Sequence, residues 1–187
     1  MTKDKFEPKY YEDEKDVMWK WEVESLLPWL FGKGVDIGCG ARTINDDILR
    51  LDIDEAVKPD IVASGDDLPF KDNKFDYIVS IHSFEHFPNS KKLLKEWLRV
   101  IKEGGIIAIV HPDITFTKKQ NPEVDNKGLR ENPYNKHYHE HTAETFKAQL
   151  EGWPDLPFKI LDYGIACEKW SFYFILKKIQ GGGSSEV

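Results

Sequence analysis

The sequence predicts an α/β fold: a seven-stranded, mostly parallel sheet with an antiparallel C-terminal hairpin and reduced helix content. Three observations lead there. Short apolar runs recur from residue 34 onward, each closed by a turn signal. Several are β-branched throughout rather than alternating, which marks strands buried on both faces. Some connections are too short for a full crossover helix, which needs roughly a dozen residues or more.

Residues 1–12 are polar. Asp13–Leu27 reads as a helix, with Val17, Trp21 and Glu24 on one face and Trp19, Val23, Leu26 and Leu30 on a neighbouring one. Pro28 ends it. Strands follow at 34–37, 48–53, 60–63, 75–81, 105–111, 159–166 and 169–176. Ser90–Ile101 is a helix that buries Leu93, Leu94, Trp97, Leu98 and Ile101, capped by Ser90 or Asn89 and stopped at Gly104–Gly105. Thr142–Leu150 is another, opened by Thr142 with Thr145 or Glu144 and ended by Gly152. Strands with interleaved helices make a layered α/β architecture. The last two runs are joined only through Ala166–Lys169, so they form a hairpin.

Only about seven residues link the second and third strands, and about eleven the third and fourth. The Trp-rich N-terminal helix should therefore cover a face left bare, and any remaining exposed apolar patch would be a homodimer surface. One domain is expected over 1–180, with 1–31 as a helical cap and 181–187 as a flexible tail. The segment 114–141 has no clear period and holds Pro122 and Pro133, and a loop of that length is usually functional.

Composition excludes several classes. The 187 residues are 40% hydrophobic and 32% charged, as in an ordinary globular domain. With 26 basic against 33 acidic side chains the net charge is −7, which argues against nucleic acid as the main partner. No apolar run nears the ~20 residues of a membrane span. The first sixteen residues lack a signal peptide's apolar stretch. Two cysteines, Cys39 and Cys167, cannot staple a secreted scaffold, so a reducing cytoplasm is expected.

Four segments carry chemistry. Val35–Gly40 (VDIGCG) is a buried strand that runs into a glycine turn, where a backbone can approach a ligand closely. Asp52 ends the second strand, where a carboxylate can accept both hydroxyls of a ribose, and Asp54 competes for that role. Gly65–Phe70 (GDDLPF) follows the third strand and offers Asp66 or Asp67 as an acceptor for an adenine amino group, with Leu68 as an apolar wall. Ser80–Phe87 (SIHSFEHF) ends the fourth. Open α/β sheets bind ligands beyond the carboxyl ends of their strands. A nicotinamide fingerprint would need a third glycine for close helix packing and a helix N-terminus facing a pyrophosphate, whereas Thr43 stands at that position with almost no helix after it.

With Trp97–Gly105 (WLRVIKEGG) added, the chain resembles the class I S-adenosylmethionine-dependent methyltransferases, a Rossmann-like superfamily, over about residues 33–113 and more loosely over 140–176. The resemblance implies S-adenosylmethionine as cofactor. Asp36, Gly38 and Gly40, with Cys39 between the glycines, match the loop that holds the methionine part. Asp52, followed by Ile53, matches the ribose-binding acid. Asp66, Asp67 and Leu68 match the adenine-side segment, and Ser80 and His82 the strand end near the sulfonium. Glu85 and His86 match a signature read here as structural. The chain departs from the family where Arg42 replaces the loop's third glycine and Ser64 stands in place of an acid.

The resemblance implies methyl transfer by in-line displacement, in which the protein supplies position and electrostatics. A general base is needed only for a hydroxyl or protonated amine. Candidates are His82, His111 and His141, with Asp113 and His139 behind them. His111 leads because it ends the fifth strand, although a hydrogen-bonded strand-end histidine reads equally well. His137, His139 and His141 alternate along one side and could hold a divalent metal with Asp113 or Glu140. Shaping of the acceptor site is the stronger reading, and no metal is expected. The lid of that site should come from residues 1–31 and 114–141. Its aromatics (Tyr10, Tyr11, Trp19, Tyr134, Tyr138) suit a small polar molecule or a sugar. The alternatives are a non-catalytic module on the same fold, or an aminopropyl transferase, for which no acidic polyamine site is visible.

Overall fold

A computed structural model describes residues 14–115 and 136–180. The tail 181–187, most of the loop 114–141, and Tyr10, Tyr11 and Tyr134 lie outside the described residues.

The described residues form one seven-stranded sheet. Its strands are β1 (Gly34–Ile37), β2 (Leu49–Asp52), β3 (Ile61–Val62), β4 (Phe75–Ile81), β5 (Ile101–Pro112), β6 (Phe158–Cys167) and β7 (Ser171–Lys178). The order across the sheet is β3-β2-β1-β4-β5-β7-β6. The first five strands run parallel, and β7 pairs antiparallel with both β5 and β6. The strand order reverses between β1 and β4, and the cleft opens there.

Alternation along the central strands explains burial on both faces. Ile78, Ile107, Ile109, Phe172 and Phe174 point to one side, while Tyr77, Val79, Ala108, Val110 and Ile175 point to the other. The first side is covered by α2 (Ser90–Val100), through Leu93, Leu94, Trp97 and Leu98, and by Phe146 and Leu150 of α3 (Ala143–Glu151). α1 (Glu14–Leu26) and Ile44 and Ile48 of the β1–β2 connection cover the second. The N-terminal helix thus lies where a crossover helix is missing, through Val23 and Leu26.

The caps follow the local chemistry. The Asn89 side chain accepts from the Lys92 N–H, and Thr142 forms a reciprocal capping box with Thr145. α1 gives way to a 3₁₀ turn, Leu27–Trp29, that contains Pro28. Most strand ends shift by one or two residues, β7 starting at Ser171 rather than 169, and two boundaries differ more. Ile101 is strand rather than helix, pairing with Phe75, because β5 begins directly after α2 and passes through Gly104–Gly105 past an irregularity in its register. The third strand shrinks to two residues.

Short connections leave backbone groups to be satisfied by side chains, and β2 supplies them. Arg50 donates to the carbonyls of Gly40 (2.7 Å), Val57 (3.4 Å) and Lys58 (3.2 Å). Two residues on, one Asp52 oxygen accepts from the Gly40 N–H (2.9 Å) and the other from the Asp54 N–H (2.9 Å). A cation and an anion two residues apart on β2 do the hydrogen bonding that a helix would otherwise do internally.

Candidate active site

The cleft has a volume of about 480 Å³ and lies over the carboxyl ends of β1, β2 and β4. Gly38, Gly40, Asp52, Ile53, Ser64, Gly65 and Asp66 line one part of it, and His82, Ser83, His86 and Tyr138 another.

Gly38 and Gly40 both have positive φ (+74° and +55°), which L side chains avoid. They differ in their surroundings. A Cβ on Gly38 would lie 2.1 Å from the Ser83 Oγ, whereas one on Gly40 would meet no described residue within 4 Å. Gly40 therefore faces open space, in reach of a ligand. Asp36 is buried behind this turn, and burial pushes its carboxyl pKa up to about 7 against the pull of Arg50. Cys39 is buried as well, and desolvation raises its thiol to about 12, so it is inert as a nucleophile.

The residues after β3 divide. Asp66 lines the cleft and accepts from the Ser64 hydroxyl (2.6 Å) and the Lys92 ammonium (2.9 Å), which hold its pKa down. Asp67 is exposed and outside the lining. Leu68 is buried in the core, its N–H donating to Glu96 (2.9 Å).

The three candidate histidines also part company. His82 lines the cleft at the end of β4, in the left-handed region (φ +53°), a conformation that costs a non-glycine residue about 1–3 kcal/mol and clusters at functional sites. Its Nε2 bonds the Glu22 carboxylate at 2.6 Å, and Glu22 also accepts from the Ser171 hydroxyl (2.5 Å). Burial pushes the His82 imidazole down, but the bond to Glu22 and its charge outweigh that and raise it. His111 is fully buried, stacked on Phe172, and held below its usual range by desolvation. His141 packs against His111 and Phe146 outside the cleft lining, and burial lowers its pKa to about 4. Ser80 is likewise fully buried and outside the lining.

Sequence reasoning missed Glu22 and Ser171, which close on His82 from α1 and β7. The only available signal was an acid within the apolar stripe of α1, between Trp19 and Val23. The histidine alternation also sorts differently from expectation. His139 and His141 stack at 6.3 Å between centroids, while His137 turns to His86 and Glu85.

S-adenosylmethionine fits this cleft on its donor set. The open face of Gly40 admits a close approach. Each Asp52 oxygen accepts one hydrogen bond from backbone, and a carboxylate has about four acceptor sites, so capacity is left for a ribose. Ile53, Val57, Phe87 and Pro88 offer apolar surface for a base, and Asp52, Asp54 and Asp66 favour a cationic ligand.

Comparison with known proteins agrees with this geometry. A family model described as a methyltransferase domain matches residues 35–109. The uncharacterized protein MJ1123 of Methanocaldococcus jannaschii is 32% identical over 141 residues, covering 66% of this chain and 68% of that one. Tocopherol O-methyltransferase of Arabidopsis thaliana is 49% identical over 49 residues, 26% of this chain but only 14% of that enzyme. Among solved structures, a SAM-dependent methyltransferase of Thermotoga maritima superposes with a TM-score of 0.64 at 18% identity, covering 87% of this chain and 89% of that one. With the strand order, the glycine turn and the acid that ends β2 all in their places, the chain belongs to the class I S-adenosylmethionine-dependent methyltransferases and has S-adenosylmethionine as its cofactor.

Proposed function

We propose that the protein transfers the methyl group of S-adenosylmethionine to a small-molecule or glycan acceptor, with the cofactor along the glycine part of the cleft and the acceptor at the histidine part. The observation that carries this reading is the Glu22–His82 pair in the same cleft as the Gly38–Gly40 turn and Asp52. The bound cofactor would supply an activated methyl group. The chain's own residues do the rest. The backbone around Gly38–Gly40 and the acids Asp52 and Asp66 hold the cofactor beside Ile53, while Asp36, Cys39, Leu68 and Ser80, buried outside the cleft lining, support that part from behind and Asp67 stays outside it. Glu22 fixes the tautomer and direction of His82, which takes up the proton that an acceptor hydroxyl or amine gives up. His111 and His141 wall the acceptor part from behind with Phe146 and Phe172.

The aromatic setting supports a small ring-bearing acceptor. Tyr138 is exposed in the lining, and Trp170 lies 6.2 Å from the His82 ring. The net charge of −7 speaks against a polyanion. No helix among the described residues is long and apolar enough to cross a membrane, and two unpaired cysteines favour a reducing, cytoplasmic setting. Leu161, Tyr163 and Ile165, exposed along the edge strand β6, support a homodimer, which light scattering decides.

Incubation with S-adenosylmethionine and a panel of phenols, amines and sugars tests the activity. S-adenosylhomocysteine should form only with an acceptor, and His82→Ala should abolish its formation while cofactor binding persists. Cofactor binding without turnover on any acceptor class would overturn the reading.

A further inference from the structure

Glu85 is the least satisfied charged group among the described residues. It sits in the 3₁₀ turn Phe84–His86 after β4 and is 1% exposed. Its Oε2 is buried with no hydrogen-bond partner among the described residues. Its Oε1 lies 3.9 Å from the His86 Nε2 and 4.0 Å from the His82 Nδ1, too far for a hydrogen bond to either. A buried carboxylate is normally paired or coordinates a metal.

The imidazoles around it are set up for a cation. His86 Nδ1 lies 3.2 Å from the Lys136 carbonyl, an acceptor, so Nδ1 carries a proton. In the neutral ring that leaves the Nε2 lone pair turned toward the carboxylate, 3.9 Å away. A metal-ligating histidine has this arrangement, its far nitrogen donating to a backbone carbonyl while the near one binds the ion. His137 completes the group, its ring 4.9 Å from that of His86. The ligand atoms of Glu85, His86 and His137 all lie within 4.8 Å of one another. The Tyr138 N–H donates to the Glu85 carbonyl (2.8 Å) and ties the 136–138 stretch to the turn.

We propose that Glu85, His86 and His137 bind a divalent first-row transition-metal ion at the histidine end of the cleft. Two imidazoles and one carboxylate suit zinc, cobalt, manganese or iron better than magnesium or calcium. Bonds of about 2.1 Å draw the three ligand atoms closer together than they now stand. Three protein ligands leave coordination positions open, and His82, His86 and Tyr138 put that opening on the cleft. An acceptor oxygen bound there would be oriented and made more acidic. That role rests on the methyltransferase reading, whereas the ion site stands without it. No metal is expected from the sequence alone, where shaping of the acceptor site is the stronger reading of His137, His139 and His141 and nothing local links His137 to Glu85.

The test is titration of chelator-stripped protein with zinc and with cobalt, by calorimetry and by the visible absorption of bound cobalt. S-adenosylhomocysteine binding is measured on the same samples. One ion per chain should bind, with a cobalt spectrum of low coordination number. Glu85→Gln and His137→Ala should each weaken binding at least tenfold, and His139→Ala should leave it within twofold. Because Glu85→Gln touches the core, the half-buried His137→Ala decides if the former fails to fold. Absence of stoichiometric binding, or binding indifferent to His137→Ala, overturns the proposal. Ion binding without S-adenosylhomocysteine binding would sink the cofactor reading and leave the metal site standing, and the reverse result would do the opposite.

Discussion

The glycine end of the cleft comes from one unbroken stretch, residues 37–66, and is held by backbone groups bonded to Arg50 and Asp52 of the neighbouring strand. The histidine end draws on α1, the β4 end, the 136–138 stretch and β7, with a hydrogen bond between residues 149 apart in sequence. At the glycine end the acids are in reach of solvent or bonded, apart from Asp36. At the histidine end one buried carboxylate, Glu22, bonds two side chains at its Oε1, and another, Glu85, has no partner for its Oε2 among the described residues. Short-range backbone geometry suits recognition of a fixed cofactor. Buried charge fixed by distant elements suits proton movement, and it exists only once the whole fold has closed.

The largest expected effect isolates the one strained acid at the glycine end. Asp36 has its pKa at about 7 in the folded protein against 3.8 for an ordinary aspartate. Between those values the folded state keeps a proton that the unfolded chain releases, so this group's contribution to stability falls as the pH rises from 4 to 7. At ~1.36 kcal/mol per unit the full cost is about 4 kcal/mol above pH 7. Asp36→Asn should match the wild type near pH 4 and exceed it at pH 8 in denaturant unfolding. Equal stabilities at pH 8 would show that Asp36 is not desolvated.

Gly38 is where the two ends touch, since its missing Cβ would collide with Ser83. Gly38→Ala should cost about 2–4 kcal/mol, from overpacking together with a positive φ. An unchanged denaturation midpoint would mean that the ends are not packed together. Glu22→Gln probes the histidine end alone. It should lower turnover about a hundredfold, the size of a general-base effect, while S-adenosylhomocysteine affinity stays within twofold. A parallel loss of affinity would erase the distinction between the ends. Gly40→Ala is the mildest for folding, about 1 kcal/mol for the left-handed backbone, because its Cβ points into open space. Its affinity for S-adenosylhomocysteine should fall far more than its stability, as measured by calorimetry against melting.

The same contrast explains what could be read from the residues. The strands of the sheet were legible because β-branched runs between turn residues leave few other options, and the caps at Asn89 and Thr142 are local chemistry. The glycine turn and Asp52 were legible because their requirement is met within a few residues. The start of β5 was not, because pairing of Ile101 with Phe75 overrode the helical pattern and the glycine stop signal. Glu22 escaped because its partner lies sixty residues away, and a carboxylate on a helix ordinarily reads as solvated surface. Glu85 reads as structural from the sequence, since nothing local shows that its Oε2 would be left without a donor.

Calorimetric titration of S-adenosylhomocysteine into the wild type and into Asp52→Ala tests the central claim most directly. The account predicts one site per chain in the wild type and a loss of about 10–100-fold in the variant, the worth of hydrogen bonds to a charged group. Equal affinity in the two proteins, or no binding to the wild type, would contradict it.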